Sequence, residues 1–229
     1  MNAIARAAEA IEKRLAPHLP CGVAAFLWSI RRHIPADVDE VLSQINGLPK
    51  ESSLRGFAPG LVKRWEVENA LIPVYANHDP RALEAMELIE KTVGRDFFRL
   101  CGSQSEVKDA KRGVIFTKGQ AAGDPSKPDM VASGNVSGDP VKGPGWPHDI
   151  VDANGIISGV LWVNLDSPTG KLATFEVVVH ELGHALGLGD HFHDFSGVER
   201  AAGFGFWPVL ARLYALRPGS PYVSRRGKE

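Results

Sequence analysis

Residues 175–195 read FEVVVHELGHALGLGDHFHDF. Three consecutive valines, Val177, Val178 and Val179, favour a strand by propensity alone. The wider spacing argues for a helix. Phe175, Val179, Leu182 and Leu186 recur at i, i+4, i+7 and i+11, which is one apolar stripe of an α-helix. A stripe that can be buried outweighs propensity differences of about 0.5 kcal/mol per residue. His180 and His184 then lie one turn apart on a different face, where both imidazoles can reach a single ion. Glu181 stands beside them, placed to hold a water. Gly187 follows where the helix must turn sharply, and a glycine permits that turn at low cost. Three further candidate ligands come next: Asp190, His191 and His193.

The spacing His-Glu-x-x-His has a definite chemical use. Two neutral imidazoles bind Zn²⁺, a third protein ligand completes the cage, and one position stays open for water. The metal lowers the pKa of that water and polarises a carbonyl, while the glutamate takes the proton and passes it to the leaving amine.

The run HELGHALGLGD over residues 180–190 resembles the metzincin clan of zinc metallopeptidases, whose pattern is H-E-x-x-H-x-x-G-x-x-(H or D). An aspartate in the third-ligand position is similar to the snapalysin-like branch rather than to the matrixins. The resemblance implies His180, His184 and Asp190 as zinc ligands and Glu181 as the general base. His191 takes the third position if the turn is one residue longer, and His193 is a more remote option. The resemblance also implies a methionine turn beneath the metal. Met1, Met86 and Met130 are the only methionines and all precede the motif, so Phe204, Phe206 or Trp207 must supply that floor.

Working outward, SGVLWVNLD over residues 158–166 reads as a strand just before the helix. In the resembled clan this position borders the cleft, so an extended peptide or protein substrate is expected to add along it. Upstream, ALIPVYAN (70–77) reads as a buried strand. HDPRALEAMELIEKTVG then carries the punctuation of a helix: Asp79 as cap, Pro80 in the first turn, a stripe of Ala82, Met86, Ile89 and Val93, and Gly94 at the end. GVIFTKG (113–119) and MVASGNV (130–136) are further strands, and residues 119–155, rich in Gly, Pro and Asp, read as a long irregular loop. His148, Asp149 and Asp152 lie in that loop and read as polar loop residues, with a structural ion as the alternative. Residues 208–216 read as a final helix with Pro208 at its start and Val209, Leu213 and Leu216 facing inward. Tyr214 and Tyr222 are candidates to stabilise an oxyanion, with ordinary packing as the alternative.

Residues 1–63 read as a helical N-terminal region, a pro-segment or extension, and residues 64–229 as the catalytic domain. Ile4, Ala8, Ile11 and Leu15 fall at helical spacing, residues 21–31 suggest a short second helix, and a third runs from Pro35 to Gly47. Cys21 sits in a PCG triplet, the one part shared with the matrixin cysteine switch, so it could bind the zinc as a thiolate. The fold class expected is α+β: by resemblance, a metzincin-like domain with a mixed twisted sheet, an active-site helix and a C-terminal helix.

The chain has 229 residues and a formal net charge of -1, with no basic block. That balance argues against nucleic acid or an anionic membrane surface as partner. No stretch is long enough to span a bilayer, and the N-terminus lacks the pattern of a secretory signal. Two cysteines, Cys21 and Cys101, make no disulfide framework. The function expected is that of a zinc-dependent endopeptidase. The alternative, motivated by the missing methionine, is a catalytically inactive zinc-binding protein that acts by partner binding.

Overall fold

The computed structural model describes residues 38–42, 61–118, 135–137, 151–166, 170, 172–189, 191–192, 195, 202–203 and 205–221. Its elements, in chain order, are α1 (Val38–Leu42), β1 (Ile72–Tyr75), α2 (Pro80–Val93), β2 (Phe98–Leu100), α3 (Gln104–Asp109), β3 (Gly113–Thr117), β4 (Asn135–Ser137), β5 (Val160–Asn164), α4 (Phe175–Ala185) and α5 (Phe206–Ala215). The chain is thus a mixture of helix and strand, as expected. The helices expected over residues 2–15 and 21–31, and Cys21, lie outside the described residues. Of the third, α1 is described.

The strands form one sheet in the order β2-β1-β3-β5-β4. β2, β1, β3 and β5 run parallel, and β4 pairs antiparallel with β5. Alternation along each strand separates two faces. Ile72, Val74, Val114, Phe116, Leu161 and Val163 point into the main core, which they share with α2, α4 and α5. Ile115, with half-buried Tyr75, Val160 and Trp162, points into a smaller core under Val107 of α3. The path from β1 out to β2 and back across to β3 reverses direction in the sheet. Crossovers of one hand therefore put α2 and α3 on opposite faces.

Local chemistry explains where the helices begin and end. Asp79 caps α2 by accepting from the Arg81 N–H, Pro80 occupies the first turn, and Gly94 ends the helix in the left-handed region at φ 72°. In α2 the residues Ala82, Ala85, Met86 and Ile89 are buried. Two elements carry no clear sequence signal. β2 is three residues long with only Phe98 buried, and α3 is a six-residue helix capped by Ser103 with a single buried residue, Val107.

Long-range bonds close the fold around its ends. The backbone at Val62 exchanges hydrogen bonds with Gly219 and Ser220. The Arg64 guanidinium, almost fully buried, donates to Leu216 O and to both carboxylate oxygens of Glu68. Val38 and Leu42 of α1 belong to the main core, where α1 packs on α5. No helix among the described residues is long and apolar enough to cross a membrane.

One expectation about the sheet fails. Strand 158–166 was expected to be the edge that takes a substrate, but β5 is flanked on both sides. β3 pairs along all of it, and β4 covers Trp162, Val163 and Asn164 from the other side. Its outward N–H and C=O groups are used there, so no peptide can add to them. Among the described strands, β4 is the edge on that side.

Candidate metal centre

Helix α4 is held at both ends. Thr174 caps its N-terminus by accepting from the Val177 N–H. Just before that cap, Arg81 donates to Ala173 O (2.8 Å) and to Asp166 (2.9 Å), and the Asp166 carboxylate accepts from the Ala173 N–H. At the C-terminal end two buried side chains take carbonyls that the helix leaves without a partner. The Trp65 indole N–H donates to Ala185 O at 2.8 Å, and the Tyr214 hydroxyl donates to Leu186 O at 2.9 Å. Val178, Val179, Leu182 and Ala185 are buried in the main core, so the rotation of the helix is fixed as well.

That rotation sets His180 and His184 side by side on the remaining face, each with about a twentieth of its surface exposed. Gly187 turns the chain sharply at φ 113°, the left-handed turn its position in the sequence suggested. The Gly187 N–H donates to His184 O and the Leu188 N–H to Gly183 O, which closes the turn. The chain then brings exposed His191 back over the helix.

The three Nε2 atoms meet. His180 and His184 are 3.0 Å apart, His180 and His191 3.1 Å, and His184 and His191 3.2 Å. Each nitrogen carries either one proton or one lone pair. Three mutual contacts therefore cannot all be good hydrogen bonds. One cation can satisfy three lone pairs at once. Two atoms on a tetrahedral ion bound at 2.0–2.1 Å are about 3.3 Å apart, close to the edges of this triangle. The tautomer of His184 also fits. Its Nδ1 lies 2.6 Å from Leu188 O, a carbonyl that can only accept, so Nδ1 carries the proton and Nε2 offers its lone pair to the centre. His180, His184 and His191 could thus hold a metal ion, and no other such group of three converges among the described residues.

Glu181 stands outside the converging group, buried beside it. Burial pushes its carboxyl up to about 8. A cation held by the adjacent imidazoles would favour the carboxylate and draw that value down again.

Among the described residues, the third-ligand candidate that meets the pair is His191. Asp190 and His193 lie outside the described residues, as do Tyr222, Phe204, His148 and Asp149. Tyr214 is buried with its hydroxyl on Leu186 O, which makes it a strut for the helix end. Asp152 spends its carboxylate within its own turn, accepting from the Asn154 and Ile156 N–H groups.

The floor beneath the imidazoles is aromatic. Phe206, one of the three residues suggested for it, is fully buried there with Trp207 edge-on against it. Among the described residues, the aromatic ring in direct contact with the histidines is Phe195, which the sequence did not single out. Phe195 stacks on His180 with ring centroids 4.2 Å apart. Its one sequence signal is an apolar residue that follows closely on a cluster of candidate ligands.

No protein-family model matches the chain, and no curated protein matches it.

Proposed function

We propose that the chain is a zinc-dependent peptidase of metzincin type. The observation that carries this reading is the convergence of three imidazole Nε2 atoms within 3.2 Å, on and after a helix that carries Glu181 next to the first of them. The element order β1, α2, β2, α3, β3, β4, β5, α4 supports it in outline, with α3 as an added helix between β2 and β3. His180, His184 and His191 would hold the ion, and three nitrogen ligands suit zinc. Zinc bound in this way supplies an acidified water and an electrophile for a carbonyl.

The remaining chemistry belongs to the chain. Glu181 accepts the proton of the attacking water and returns it to the departing amine. Its low exposure keeps bulk solvent from competing for that proton. The proton cannot be held by His184 Nδ1, which is committed to Leu188 O. A substrate backbone adds to β4, the antiparallel edge strand, which lies against α4. Main-chain hydrogen bonds there would hold an extended peptide across the histidines and leave side-chain preference to the cleft walls.

The test compares zinc-loaded wild type with zinc-loaded Glu181→Gln on a broad peptide library, with metal content measured in the same samples. Turnover by the variant is expected to fall about 10²–10⁴-fold with zinc retained, the range of a lost general base. Equal turnover by the two proteins would remove Glu181 from the chemistry. Cleavage by neither, with zinc bound in both, would favour the binding scaffold without catalysis.

A further inference from the structure

Phe195 touches all three metal-binding imidazoles. Its ring centroid lies 4.2 Å from that of His180 with the planes 28° apart, 4.7 Å from His184, and 5.8 Å from His191. Phe195 has no exposed surface. Its own position is fixed from two sides. Phe206 stacks under it at 5.3 Å with the planes 24° apart. Phe192 and Phe195 also exchange two backbone hydrogen bonds, which ties Phe195 to the chain next to His191. The helix makes room for this stack. A Cβ on Gly183 would lie 2.6 Å from Phe206 Cε2 and 3.0 Å from Phe195 Cε2, so only glycine admits both rings. Glycine is a poor interior residue for a helix, and here its cost is offset by that close approach.

We infer that Phe195, backed by Phe206 and admitted by Gly183, is a positioning residue for the metal. The inference rests on the metal-site reading above. Ion geometry at a His cage depends on how the rings are oriented, and the apolar groups around a site govern its solvent access. The Phe195 face fixes the plane of His180 by stacking and limits the tilt of His184 and His191.

The test uses the full chain with Co²⁺ and Zn²⁺ as probes. Metal affinity is measured by chelator competition, and the d–d absorption of the cobalt form reports ligand geometry. Phe195→Leu keeps apolar bulk but loses the flat face, and Phe195→Ala removes both. Gly183→Ala disturbs the stack from the helix side, although alanine is the better helix former. Val107→Ala is the control, a buried residue in the smaller core on the other face of the sheet. Affinity is expected to fall about 10–100-fold in the Phe195 and Gly183 variants, with a changed cobalt spectrum. Val107→Ala is expected to lower thermal stability and leave the spectrum as in wild type. An unchanged affinity and spectrum in Phe195→Leu would overturn the inference while leaving the metal site standing. The same spectral change in Val107→Ala would overturn it too, because general loosening would then explain the effect. A wild-type chain that binds neither metal would remove the underlying reading, a separate and recognisable failure.

Discussion

Helix α4 lies between two polar clusters of opposite character. Near its N-terminus, Asp79 and Asp166 face Arg81 and Lys118. Arg81 donates to both carboxylates and to Ala173 O, and Lys118 reaches Asp79 at 2.8 Å. Two negative and two positive charges balance, and every partner comes from the chain. Near the C-terminal half, three imidazole nitrogens face one another at a spacing that suits one shared cation. The first cluster is closed and the second is open toward an ion. Opposite charges that neutralise one another hold a fold together, whereas imidazole nitrogens that converge on one point suit a shared cation.

This contrast can be broken first at the open cluster. His184→Ala is expected to lose tight zinc binding. Wild type held at about 1,000 times its dissociation constant gains about 4 kcal/mol of stability from zinc. Thermal melts with and without zinc should show that gain in wild type and none in the variant. A full zinc-dependent rise in His184→Ala would contradict the ligand role.

The closed cluster should answer in the opposite way. Arg81→Leu leaves Asp166 without its cation and Asp79 with Lys118 alone. The cost is expected to be about 2–4 kcal/mol, below the value for fully buried pairs because Arg81 is partly exposed. Zinc affinity should be unchanged, since the cluster touches α4 only ahead of its N-terminus. Denaturant titration measures the first quantity and chelator competition the second. Loss of zinc affinity with stability intact would reverse the assignment of the two clusters.

Acid separates them further. Burial raises the Asp79 and Asp166 carboxyls, but hydrogen bonds from Arg81, joined at Asp79 by Lys118, outweigh it and hold both below their ordinary range. Groups depressed in the folded state contribute stability that is complete above their unfolded pKa of about 4 and is lost as pH falls through the folded values. Stability from this cluster should therefore persist through mild acid and decline only below about pH 4. The metal should leave earlier, because imidazole ligands must be deprotonated to bind. Parallel pH titrations of zinc content and of unfolding check the order. Loss of the fold before loss of the metal would contradict it.

The two clusters also differ in how far the sequence revealed them. α2 was legible in detail, because Asp79, Pro80 and Gly94 act locally and each leaves its mark within a few residues. His180, Glu181 and His184 were legible because helical spacing alone places them. The third ligand was left between Asp190 and His191, since the path after Gly187 depends on one residue of turn length. Among the described residues His191 reaches the pair, and Asp190 lies outside them. The Arg81–Asp166 pair joins residues 85 apart in sequence, and no local pattern announces it. The strand expected over residues 130–136 overlaps β4 (Asn135–Ser137), but the pairing that moves β5 from the edge to the interior had no local signal. Phe195 was missed because stacking against a histidine cluster has no spacing rule.

The central claim is that His180, His184 and His191 together hold one metal ion. The most direct measurement is zinc stoichiometry and affinity for wild type, His191→Ala and Asp190→Ala, prepared side by side as full chains. The account predicts one zinc per chain in wild type and in Asp190→Ala, and greatly weakened binding in His191→Ala. Tight binding retained without His191 and lost without Asp190 would contradict it and make the aspartate the third ligand.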